Sequence, residues 1–161
     1  MSKISVLMSV YKKENPEYLR ASLESILVQT RTADEILLIE DGPLTQELYQ
    51  VVAEYQKKCD YLHVHAMEQN VQLGRALAKG VELCQYDLIA RMDTDDIAMP
   101  HRLEKEGAYM EAHPEVDVVG GAIREFNDEG TIDRVKNMPK TQEEILEYVK
   151  VRNPLNHMTV M

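Results

Sequence analysis

Residues 87–106 read DLIARMDTDDIAMPHRLEKE, an order that sets a short apolar run directly against three acids. Leu88-Ile89-Ala90 has the continuous apolar character of a strand buried on both faces of a parallel sheet. Asp93, Asp95 and Asp96 then lie just outside that strand's C-terminal end, where open α/β sheets bind their ligands. Carboxylates gathered in one place repel one another unless a cation joins them. Hard oxygen donors of this kind suit Mg²⁺ or Mn²⁺, and such an ion keeps open positions for a substrate's phosphates. Residues two apart in extended backbone project to one side, so Asp93 and Asp95 are expected to converge while Thr94 turns away. Asp96 reads either as a supporting acid or as the cap of a turn. Past Pro100, a helix is expected over residues 102–112.

Upstream, strand-type and helix-type patterns alternate with short connections, which marks βαβ units around a mostly parallel sheet with helices on both faces. The first strand spans residues 4–10. Asn15 then caps a helix with Pro16 at its first position and Leu19, Leu23, Ile26 and Leu27 at helical spacing. A second strand over residues 35–40 ends in Asp41-Gly42-Pro43, a turn signal, before a helix carrying Leu48, Val51, Val52 and Tyr55. The third strand covers residues 61–66. After Asn70-Val71-Gln72-Leu73-Gly74 comes a helix expected to bury Leu77, Val81 and Cys84.

Downstream, the pattern stops being purely parallel. Residues 116–121, VDVVGG, read as a strand, and residues 126–134 as a turn around Asp128-Glu129-Gly130, so a mixed or antiparallel C-terminal part is expected. Thr141 and Glu144 form a capping box before Ile145, Leu146 and Val149. Residues 153–161, NPLNHMTVM, resemble the entry into a further strand, so the chain is expected to be cut short at its C-terminus. An open sheet edge near Val160 would be free to pair with another copy.

At 161 residues with 44% hydrophobic content, the chain is expected to form one domain with a sizeable core. A formal charge of −10 argues against a nucleic-acid partner, since such binding uses a basic face to release phosphate counterions. Cys59 and Cys84 form no CxxC and have no nearby histidine pair, so neither a zinc site nor a disulfide framework is indicated, and a reducing compartment follows. The N-terminal apolar stretch is too short for a signal segment and nothing reaches the length of a membrane span, so a cytoplasmic protein is expected. His63 and His65 share one face of the third strand without a third ligand nearby, and His101 sits near the acids as an onlooker.

Taken in order, SVLMSVYKK, LLIEDG, QNVQLGRALAKG, DLIARMDTDD, RLEKE and VVGG resemble the nucleotide-sugar-binding half of a family 2 glycosyltransferase with the GT-A fold. The resemblance covers nearly the whole chain, and its pieces are specific only together. It implies that Ser9 and Tyr11 end the first strand where the nucleotide base packs, although Tyr11 also fits a surface turn. Asp41 would accept the imide N–H of uracil or thymine, or else merely cap its turn. Asn70, Gly74 and Arg75 would place backbone N–H groups, a helix dipole and a fixed charge near the nucleotide. A solvated Arg75 and a packing role for Gly74 fit equally well. Asp93-Thr94-Asp95 resembles the family's DxD motif, with Asp95 on the metal and Asp93 nearer the ribose or reaching the ion through water. His157 falls in a segment similar to the family's acceptor side.

The resemblance further implies inverting transfer from a UDP- or TDP-type donor to a hydroxyl of a saccharide or lipid-linked saccharide, in cell-surface polysaccharide synthesis. It carries with it a divalent Mn or Mg ion and, for the full-length enzyme, peripheral association with the inner face of the cell membrane. The catalytic base of such enzymes lies in an acidic pair well after the metal motif, hence beyond residue 161. Glu144 of Glu143-Glu144 is spent on its capping box. The chain is therefore expected to bind donor while transferring little sugar. The rivals are a non-catalytic nucleotide-binding module, a sugar nucleotidylyltransferase and a phosphoryl-acceptor domain. The nucleotidylyltransferase calls for a glycine-rich basic loop after the first strand and the phosphoryl-acceptor domain for acids there, where Ser9-Val10-Tyr11-Lys12-Lys13 stands.

Overall fold

β1 (Ile4–Val10) and β2 (Glu35–Glu40) are apolar runs buried on both faces, and their side chains alternate between two cores. Ile4, Val6, Met8 and Val10, with Ile36 and Leu38, enter the larger core. Leu7, Leu37 and Ile39 enter the smaller core on the opposite face. The computed structural model describes residues 1–127 and 132–161. β3 (Leu62–Ala66) and β4 (Leu88–Met92) complete a parallel sheet in the order β3-β2-β1-β4.

Right-handed crossovers dictate where the helices go. α1 (Pro16–Leu27) and α2 (Gln46–Lys58) connect strands added in one direction, and both pack on the larger core. The chain then returns past β1 to lay down β4, so α3 (Leu73–Leu83) covers the opposite face. α4 (Arg102–Ala112) rejoins the larger core through Leu103. The Asn15 cap is present, with Oδ1 accepting from Glu17 N at 2.9 Å. Among the described residues no helix is long and apolar enough to cross a membrane.

The buried face of α3 differs in part from the one read off its periodicity: Leu77 and Cys84 pack against the smaller core as expected, but Val81 does not. Val81 is 54% exposed, and Ala76 and Gly80 are the buried positions. Small residues win there because the helix lies close on β1: a Cβ at Gly80 would stand 2.3 Å from Leu7 Cδ1.

The C-terminal part departs from expectation more widely. Residues 116–121 form no strand; instead Val119 and Met161 exchange both backbone hydrogen bonds, at 3.0 and 2.9 Å. The antiparallel pair is β5 (Ile123–Phe126) with β6 (Asp133–Lys136). The turn expected around Asp128-Glu129-Gly130 falls outside the described residues. α5 (Gln142–Tyr148) carries the full Thr141–Glu144 capping box yet buries no residue. Residues 153–161 form no strand either: they contain a 3₁₀ turn, His157–Thr159, and Val160 O accepts from Arg91 N at 2.8 Å. The edge expected to be open near Val160 is thus engaged within the chain.

Candidate functional site

The strand order reverses between β1 and β4, and the crevice outside the carboxyl ends of strands at such a point is where this architecture holds ligands. An open cleft of about 430 Å³ lies there. Ser9, Tyr11 and Glu14 line it from the end of β1, and Asp41 from the end of β2. Asn70, Gln72 and Leu73 line it from the start of α3, Asp93, Thr94 and Asp95 from the end of β4, and His157 from the C-terminal tail.

Asp41, 4% exposed, ties the β2 end to the loop before α3. Its Oδ1 accepts from Val71 N at 2.6 Å and its Oδ2 from Asn70 Nδ2 at 2.9 Å. Two carboxylate oxygens carry about four lone-pair directions, so each keeps capacity for a ligand's N–H. Gly42 makes the junction possible. Its φ is +83°, and a Cβ there would meet Asn70 N at 2.6 Å.

Gln72 precedes α3 at φ 72° and ψ 152°, a conformation essentially reserved for glycine. The strain costs about 1–3 kcal/mol, while glycine's extra unfolded-state freedom costs about 0.5–1 kcal/mol. Gln72→Gly should therefore stabilise the chain by about 1 kcal/mol in denaturant unfolding; a loss of stability would mean that the side chain has contacts outweighing the strain.

At the opposite wall, oxygens of Asp93, Asp95 and Asp96 lie within 4.8 Å of one another, the one such group of acids, histidines or cysteines among the described residues. Thr94 turns inward as expected, 3% exposed, donating to Ser9 O at 3.4 Å and to Glu14 Oε2. Ser22 Oγ donates to Asp93 O at 2.8 Å, and Arg91 Nη2 pairs with Asp93 Oδ1. His157 Nε2 stands 3.9 Å from Asp93 Oδ2. Burial, with Asp93 and Asp95 alongside, pushes the Asp96 carboxyl above its ordinary value. Three hard carboxylates so placed fit a divalent cation.

Of the residues singled out in the sequence, Ser9, Tyr11, Asp41, Asn70, Asp93, Asp95 and His157 meet in this cleft. Gly74 and Arg75 do not line it; they are exposed on the first turn of α3, and nothing lies within 4 Å of where a Gly74 Cβ would be. His101 points elsewhere, with Nδ1 2.9 Å from Glu104. Sequence reading passed over Glu14, Gln72, Leu73 and Arg91. Only Arg91 carried a signal, as a lone cation inside an apolar strand.

The chain is 44% identical over 157 residues to the amylovoran biosynthesis glycosyltransferase AmsE of Erwinia amylovora, covering 98% of this chain and 58% of that protein. It is 35% identical over 164 residues to the UDP-Gal:alpha-D-GlcNAc-diphosphoundecaprenol beta-1,3-galactosyltransferase of Escherichia coli, covering 98% of this chain and 57% of that one. It thus spans a little over half the length of these relatives. Among solved structures, S. aureus TarS 1-349 in complex with UDP-GlcNAc shares the fold at a TM-score of 0.69 and 22% identity, over 86% of this chain and 37% of that one. The family model for Glycosyl transferase family 2 matches residues 5–161. With its parallel sheet, acid-lined cleft and end-to-end match to that model, the chain belongs to glycosyl transferase family 2.

Proposed function

We propose that this chain is the donor-binding part of an inverting glycosyltransferase that takes a UDP- or TDP-type sugar and works in cell-surface polysaccharide synthesis. One observation carries the reading: a nearly buried acid, Asp41, and two members of a three-acid cluster, Asp93 and Asp95, line a single cleft at the reversal of strand order. Asp41 would take the base of such a donor and the acid cluster, through its cation, the diphosphate. TarS supports the donor class by its UDP-GlcNAc complex, and the two relatives support the pathway and a lipid-linked saccharide acceptor by their names.

In this reading Asp41 accepts the imide N–H of the base, Tyr11 gives the ring an apolar face, and Asn70 holds Asp41 in place. Ser9 closes the floor. Gly74 and Arg75 contribute from the outer rim, through the helix start and a positive charge. Asp95 and Asp93 hold a divalent cation, Mn²⁺ or Mg²⁺, with Asp93 also turned toward the ribose. When bound, that ion supplies Lewis-acid stabilisation of the departing diphosphate. His157 stands on the acceptor side of Asp93. The base that takes the acceptor's proton is not assigned to a residue of this chain, and an acceptor on a lipid carrier would place the enzyme at the inner face of the membrane.

Calorimetric titration with UDP, TDP and GDP, each with and without Mn²⁺, tests this. Binding of a uracil or thymine nucleotide that requires the ion is expected. A folded chain that binds none of them, or binds equally well without metal, would sink the reading.

A further inference from the structure

Arg91 is out of place by the rules that build its strand. β4 packs within a parallel sheet, where apolar side chains are the norm, yet Arg91 is 7% exposed. Only Nη2 has a partner, Asp93 Oδ1; Nε and Nη1 are buried without a hydrogen-bond partner among the described residues. Buried charge and unsatisfied donors both cost stability, and an apolar side chain of similar volume would avoid both. Packing alone does not account for a guanidinium here.

Its surroundings do. Asp93, Asp95 and Asp96 crowd the loop that follows, and like charges so close repel one another. The backbone is fixed on both sides of the pair: Ser22 Oγ holds Asp93 O at 2.8 Å, and Arg102 Nη2 holds Arg91 O at 2.7 Å. With Asp93 Oδ1 engaged from behind, Oδ2 is the oxygen left toward His157 and the cleft.

We propose that Arg91 is a built-in counter-ion and positioning residue for the acid cluster. It grips Asp93 by one oxygen so that the other is presented to the cleft. It also cancels one of three negative charges, leaving two, which a single divalent cation balances. The inference rests on the cation reading proposed above. Its signature is a trade between Arg91 and metal. A residue needed only for packing would show no such trade.

The test is thermal unfolding of the wild-type chain, Arg91→Met and Arg91→Lys, in chelator-treated buffer and again with saturating Mn²⁺ alone. Arg91→Met leaves the partly buried Asp93 carboxylate without its counter-ion and should melt about 5 °C lower without metal. Mn²⁺ should then raise its Tm by more than it raises the wild type's, while Arg91→Lys, which keeps the charge, should respond like the wild type. Equal Mn²⁺-induced rises in wild type and Arg91→Met would overturn the proposal. A wild type indifferent to Mn²⁺ would instead defeat the cation reading. The double variant Arg91→Met/Asp93→Asn then decides separately, and it also serves if Arg91→Met fails to fold. A double variant more stable than Arg91→Met supports the counter-ion role, and simple addition of the two losses refutes it.

Discussion

Asp95→Ala is expected to leave the fold intact and to weaken Mn²⁺-dependent UDP binding by about 100-fold or more. The side chain is exposed beyond the end of β4, so its removal touches no packing, and surface changes of that kind stay within about 0.5 kcal/mol. The loss falls instead on the cation. Altering only the groups that orient metal ligands already costs about 10–100-fold, so removing the carboxylate proposed to bind the ion directly belongs at or beyond the top of that range. Calorimetry with UDP and Mn²⁺ measures the ratio, with the melting temperature as control. A variant that melts like the wild type and binds UDP as tightly would remove Asp95 from the metal site.

Gly42→Ala should be the most damaging glycine substitution around the cleft. At φ +83° an alanine pays roughly 1–2 kcal/mol for its left-handed backbone. Its methyl would stand 2.6 Å from Asn70 N and 2.9 Å from Gln69 C, atoms that cannot swing away as a side-chain tip can. Overpacking of this kind adds about 1–3 kcal/mol, so a total near 3 kcal/mol is expected in denaturant unfolding. Separating the two loops also breaks the bonds from Asn70 and Val71 to Asp41, and nucleotide affinity should fall with stability. Gly74→Ala is the control. With open space at its Cβ and a place in the first turn of α3, it should gain about 0.5–1 kcal/mol, and because the role proposed for Gly74 is that of a backbone N–H at the helix start, which alanine keeps, binding should be unchanged. A loss of binding there would show that a ligand approaches the backbone at Gly74.

The sheet was readable because its signals are local. Apolar runs of strand length, Asn15 before Pro16, Thr141 at a helix start, and Asp41-Gly42-Pro43 each act within a few residues. The acid cluster was readable because three acids lie side by side beyond a strand. What escaped was set by partners far away in sequence. Val81 satisfied a helical period, but the face of α3 was chosen by how closely Ala76 and Gly80 let it approach Leu7. The VDVVGG run has the composition of a strand, yet its only strand-like pairing is Val119 with Met161, where Gly120 and Gly121 offer no side chains to a sheet. Thr94 and Glu14 are brought together only by the closing of β1 on β4. Arg91 was passed over although it is a lone cation inside an apolar strand, because its pairing with Asp93 shows only once the loop after β4 is in place.

The bond from Arg91 N to Val160 O also sets an order of events during synthesis. All four strands of the parallel sheet have left the ribosome once Met92 has, but the segment that pins the far side of β4 emerges much later. Elongation at about 5–20 residues per second makes that wait several seconds. Throughout it the aspartate loop is attached to a finished sheet on one side only. His157 reaches it last, carried in by the same tail that closes over Arg91. On the function proposed above, the cleft is assembled from Asp41 toward His157, so that the groups assigned to the donor are in place before the one assigned to the acceptor side.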